Sequence, residues 1–92
     1  MDIRHMVEEG VLHVALLHDL DVTSRAAASL ELEMLLFTHR PHHVRIQLPT
    51  SDPSPASVSV LARARRMCEG LGIPLTVVGP AAPHPPRSPA AA

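Results

Sequence analysis

The chain has 92 residues, room for one small domain and not two, and folding at this size removes only about 60–65% of the surface the unfolded chain exposes. Its eight basic residues, all arginine, nearly balance nine acidic ones, and tryptophan and tyrosine are absent. A near-neutral chain that lacks the usual Trp and Tyr stacking platform argues against nucleic acid, and its charge balance against an anionic membrane, as partners.

Residues 2–9 alternate weakly, with Ile3, His5 and Val7 against Asp2, Arg4 and Glu8, and read as an edge strand. Residues 11–17 (VLHVALL) are nearly continuous apolar, as in a strand covered on at least one face. The two are expected to form a hairpin around Glu9-Gly10. After the corner His18-Asp19-Leu20-Asp21 the period becomes helical over residues 24–39. Ala27, Leu30, Met34 and Phe37 form its apolar stripe, Leu35 widens it, and Glu31 and Glu33 are expected in solvent. Thr23 or Ser24 is the candidate cap, and Arg40-Pro41 supplies the stop.

Residues 42–48 (HHVRIQL), bounded by Pro41 and Pro49, read as a short strand. Ser54 followed by Pro55 is a helix-start signal, because serine caps and proline at the first helical position gives up a donor that would be unpaired there. The second helix is expected to bury Val60, Leu61, Ala64, Met67, Cys68 and Leu71 and to end at Gly70 and Gly72. Residues 73–78 (IPLTVV) form a last strand, with Pro74 near its start or at an edge. Past Gly79 the sequence PAAPHPPRSPAAA lacks apolar periodicity. Residues 1–80 are therefore expected to be the folded domain and 81–92 a disordered Pro/Ala-rich tail whose removal changes stability little. The fold class is α/β, ββαβαβ, a small mixed sheet with helices packed on one face.

The only cysteine, Cys68, cannot form an internal disulfide and reads as core packing. Charges in MDIRHMVEEG, and the absence of a run near ~20 apolar residues, lead to a cytoplasmic expectation.

The apolar strand with its His18-Asp19-Leu20-Asp21 corner, and the later run VSVLARARRMCEGLGIPLTVVGP, come in the order found in the STAS family of anti-sigma factor antagonists, which this chain resembles over roughly residues 11–80. Members commonly open with a Gly-Glu-Leu-Asp type corner, so Asp21 matches the family's frequent Asp. They typically carry an Asp-Ser-Ser-Gly-like sequence at the start of the second helix, where one Ser is phosphorylated by the partner anti-sigma kinase. Here Ser54-Pro55-Ala56-Ser57 stands at that place, and the acceptor position falls on Pro55 or Ala56, which have no hydroxyl. Gln47-Leu48 replaces a common Asp-Leu pair, and the usual final helix gives way to the tail.

The resemblance implies a bacterial regulatory module, without cofactor, that binds an anti-sigma factor or related kinase-fold protein and influences transcription with the switch lost or moved. Its partner surface would draw on Asp19, Asp21, Thr23, Ser24, Ser54, Ser57 and Arg63, with Ser54 and Ser57 as displaced phosphorylation candidates. Each has a plainer reading: Asp21 as a turn or cap, the serines as cap and first-turn residues, and Arg63, Arg65 and Arg66 as a solvated helix face. His39, His42 and His43 are the only metal-like cluster, but His42 and His43 point to opposite faces of a strand, so no metal site is expected. No Gly-rich phosphate loop, Gly-x-Ser-x-Gly elbow or paired carboxylates suggest an enzyme. The alternative is a structural subunit, with homo-oligomerisation as one form, whose sheet edge or exposed helix serves a larger assembly.

Overall fold

The computed structural model describes residues 2–80; the expected tail at 81–92 lies outside them. Six elements follow in the order β1 (Ile3–Glu8), β2 (Val11–Leu16), α1 (Val22–His39), β3 (His43–Gln47), α2 (Pro55–Leu71) and β4 (Leu75–Val78). They build one four-stranded sheet in chain order, with β1 antiparallel to β2 and the β2/β3 and β3/β4 pairs parallel. The expected mixed sheet with two helical crossovers is therefore present.

Register decides which half of the sheet is covered. Leu12 lies beside Val44 and Val14 beside Ile46, all four are buried, and they join Ile3 and Leu16 in one core with residues of both helices. The alternate residues His13, Ala15, Arg45 and Gln47 point the other way, as the two-residue period of a strand requires, and remain half-buried or exposed. Both helices thus cover one face, and the other is open.

The hairpin turns on Glu9 and Gly10, both with positive φ (53° and 79°), which matches the twist of a two-residue turn joining antiparallel strands. A side chain at Gly10 would run into the His42 ring. His42 holds the turn in place: its amide donates to the Gly10 carbonyl at 3.0 Å, and its Nε2 donates to the Glu9 carbonyl at 3.0 Å. His43 reaches the Thr76 hydroxyl at 2.9 Å, and His39 lies tilted against His5 with ring centroids 5.7 Å apart. The three histidines of the metal-like cluster thus go to separate tasks, and no group of three candidate ligands occurs among the described residues.

α1 departs most from expectation. Its buried residues are Ala28, Leu32, Leu35 and Leu36, whereas Leu30, Met34 and Phe37 are 58%, 59% and 48% exposed. The helix is apolar on two opposite sides, so a 3.6-residue period fits either stripe and the sheet takes the leucine-rich one. Glu31 and Glu33, expected in solvent, are half-buried. The cap also shifts: Asp21, not Thr23 or Ser24, is the N-cap, and the helix begins at Val22.

α2 follows its expected pattern, with Val60, Ala64 and Cys68 buried and Leu61 and Met67 packed against the core, although Leu71 is 38% exposed. It continues through Gly70. Gly72 closes it in the left-handed conformation, with its amide and that of Ile73 capping the last carbonyls. Burial pushes the Cys68 thiol above its ordinary range. Among the described residues no helix is long and apolar enough to cross a membrane.

Candidate functional site

At the carboxyl ends of β2 and β3 the chain twice turns into a helix, and these two helix starts are joined. After Leu16 the backbone stays anchored to the N-terminal segment, because the Leu17 amide donates to the Asp2 carbonyl at 2.9 Å. Leu20, only 2% exposed, plugs the corner into the core and fixes the residues on either side of it.

Asp19 points across to α2. Its carboxylate accepts from the Ser54 amide at 3.0 and 3.2 Å and from the Ser57 hydroxyl at 2.7 Å. Ser57 Oγ in turn accepts from the Leu20 amide at 2.9 Å. Ser54 Oγ donates to the Leu20 carbonyl at 2.6 Å and accepts from the Ser57 amide at 3.1 Å, which makes it the α2 N-cap. The Ser57 hydroxyl and the Ser54 amide, in that order, hold the Asp19 carboxyl below its ordinary pKa, because both are donors and favour the charged form. The positive end of the α2 dipole favours the same anion.

Asp21 has a local task. It accepts from the Ser24 amide at 2.8 Å and the Ser24 hydroxyl at 3.0 Å, while its own amide donates to Ser24 Oγ at 3.1 Å, closing a reciprocal capping box. The Ser24 amide, then its hydroxyl, lowers the Asp21 pKa. His18 completes the corner, donating from Nε2 to Asp2 Oδ1 at 2.7 Å and from Nδ1 to the Asp19 carbonyl at 2.9 Å. Both partners are acceptors, so both bonds exist together only in the imidazolium. The bond to Asp19, then that to Asp2, raises the His18 pKa.

Of the residues singled out from the sequence, Asp19, Ser54 and Ser57 meet in one network, while Asp21 and Ser24 cap the adjacent helix. Thr23 is exposed in the first turn of α1. Arg63 lies about two turns into α2, in a groove of about 600 Å³ shared with Arg25, Ser29, Leu30 and Glu33. Ser57 is fully enclosed, with its hydroxyl donating and accepting within the protein. Sequence reasoning missed the Asp19 to Ser57 bond, which spans 38 residues and leaves no periodic trace. It also missed two exposed apolar side chains at the helix starts, Val22 (77%) and Val58 (49%).

What the arrangement offers is a rigid, exposed platform made of two capped helix starts, carrying the Asp19 and Asp21 carboxylates and two valines. No protein-family model matches the sequence, and no curated protein matches it.

Proposed function

We propose that this protein is a STAS-like regulatory interaction module that binds an anti-sigma factor or a related kinase-fold ATPase, influences transcription, and does so without a phosphoswitch on its second helix. The observation that carries the reading is the Asp19 junction, which ties the β2–α1 corner to the start of α2 across 35 and 38 residues. Those are the two segments through which such a module would meet its partner. A platform already fixed by internal hydrogen bonds has less ordering entropy to lose on binding. Val22 and Val58 supply exposed apolar anchors on it.

The absence of a switch has its own support. The Ser57 hydroxyl is enclosed against the Asp19 carboxylate, where a phosphate would add about −1.5 to −2 charge beside an existing anion. Ser54 Oγ is committed to the Leu20 carbonyl.

Calorimetric titration against anti-sigma factors with a histidine-kinase-like ATPase fold tests both parts. A complex is expected, weakened at least about tenfold by Val58→Glu or Val22→Glu and unchanged by Arg45→Ser on the open sheet face. ATP turnover by the partner should leave affinity unaltered. Failure to bind any such ATPase overturns the partner assignment. Stoichiometric phosphate on Ser54 or Ser57 with loss of binding overturns the claim of a constitutive surface.

A further inference from the structure

On the sheet face that carries no helix, the strand register lays the side chains out as a grid. Arg4, Ala15 and Gln47 form one row across β1, β2 and β3, and Met6, His13 and Arg45 form the next. Ala15 has by far the smallest side chain of the six, so a dip opens over it. The dip is a cavity of about 260 Å³ with all six residues in its lining. With strands about 4.8 Å apart and the rows about 6.7 Å apart, Arg4 and Arg45 stand at opposite corners, about 12 Å from Cα to Cα. Two long side chains so placed reach a ligand over Ala15 from opposite sides.

The charge of the cavity is one-sided. The chain as a whole is nearly neutral, yet no carboxylate lines this cavity. Among the described residues, neither arginine lies within ion-pair distance of a carboxylate. The acids of the same face, Asp2 and Glu8, stand at the two ends of β1, and Asp2 is held by His18 at 2.7 Å. His18, His42 and His43 each bond within the chain. His13 has no such partner among the described residues and lies half-buried beside Arg45.

We propose that this cavity binds a small organic phosphomonoester, with its phosphate between Arg4 and Arg45 and its carbon skeleton against Met6. Each guanidinium presents paired N–H donors that match phosphate oxygens, and the His13 ring and Gln47 amide add donors from the floor. A phosphate spreads three oxygens tetrahedrally and so takes donors converging from several sides, whereas a carboxylate has two in one plane. Met6, 56% exposed, gives an organic group an apolar wall that inorganic phosphate would not use. Drug-sized ligands occupy about 300–1,000 Å³, so a cavity of about 260 Å³ admits a compact molecule and not a stretch of peptide or nucleic acid. The assignment does not depend on the regulatory reading above, which uses the helix starts.

Amide-resolved NMR titration of the full chain with phenyl phosphate reads the site directly. Saturable shifts are expected at Arg4, His13, Ala15 and Arg45, with a dissociation constant on the order of 0.1–1 mM. Inorganic phosphate and benzoate should each bind at least about threefold more weakly, the first for want of the apolar contact and the second for want of the phosphate. Arg4→Gln and Arg45→Gln, both at exposed positions, should each weaken binding about tenfold. Arg66→Gln on the exposed side of α2 removes the same charge and should change nothing. Ala15→Leu fills the dip without altering either arginine and should also weaken binding about tenfold, with the amide spectrum showing that it is folded. The proposal is overturned by the absence of saturable shifts up to about 10 mM phenyl phosphate, or by shifts that map to the helix starts instead. It is equally overturned if a folded Arg45→Gln or Ala15→Leu protein binds like the wild type, or if benzoate or inorganic phosphate binds as tightly as phenyl phosphate.

Discussion

Ser57 shows how much one small polar residue can hold when it is buried. Its hydroxyl accepts from the Leu20 amide and donates to Asp19, and among the described residues no buried side-chain nitrogen or oxygen lacks a partner. Ser57→Ala removes both bonds and leaves the buried Leu20 N–H unpaired, a loss of about 1–3 kcal/mol. In a domain of this size each kcal/mol is worth about 4–8 °C, so the thermal midpoint should fall by several degrees. Ser57→Asp should do worse, because it encloses a second carboxylate beside Asp19, and urea unfolding would show its midpoint well below that of the alanine variant. Equal midpoints for wild type and Ser57→Ala would show that the network contributes nothing to stability. Ser54, by contrast, was legible as a cap from its neighbour Pro55, because capping is local and needs only the adjacent sequence. The Asp19 contact is made by chain folding alone, and nothing within ten residues of Asp19 announces it.

At the scale of elements, β3 and α2 were readable because each has a single apolar side, whereas β1 buries only Ile3 and leaves Met6 and Val7 exposed. Ser54 and Gly72 mark the ends of α2, and the alternation in β3 puts Val44 and Ile46 inside. α1 was not readable in the same way: its existence followed from the period, but the choice between two apolar stripes depends on what the sheet presents. Two substitutions separate the stripes. Leu32→Ala empties a site that is 2% exposed and should cost about 2–5 kcal/mol, whereas Leu30→Ala should change stability by no more than about 0.5 kcal/mol in dilute solution. Chemical denaturation of both proteins checks the assignment, and a reversed ranking would return the core to the Leu30 side. The hairpin gives a complementary gain. Glu9 carries a φ of 53°, where L-residues with longer side chains are strained and asparagine is favoured before glycine. Glu9→Asn is therefore expected to raise stability by about 0.5–1 kcal/mol, seen as a higher midpoint in the same experiment.

Across the whole molecule, the corner groups give stability a defined dependence on pH, since they titrate in opposite senses. Asp19 and Asp21 have pKa values lowered from 3.8, by the Ser57 hydroxyl and the Ser24 amide respectively. Their contribution is present above the unfolded value and disappears as the pH falls through the lowered ones. His18 has a pKa raised from 6.5, chiefly by its bond to the Asp19 carbonyl. Its contribution is complete below the unfolded value and is lost as the pH rises through the raised one. Buried Cys68, raised from 9.0, adds a further decline in alkali, because the unfolded thiol ionises first. Stability should therefore be greatest from just above the ordinary carboxylate range up to the ordinary histidine value, and should fall on both sides. His18→Gln should remove the decline just above pH 6.5 while leaving the acid limb in place, and Asp19→Asn should make the acid limb shallower, leaving the share that Asp21 contributes. Because all of these groups are exposed except Cys68, salt should shrink the effects without changing their signs. Urea midpoints measured at intervals between about pH 3 and pH 9 would decide the matter. A His18→Gln protein whose profile matches the wild type through neutrality would show that the two bonds drawn from that imidazole are not held in solution.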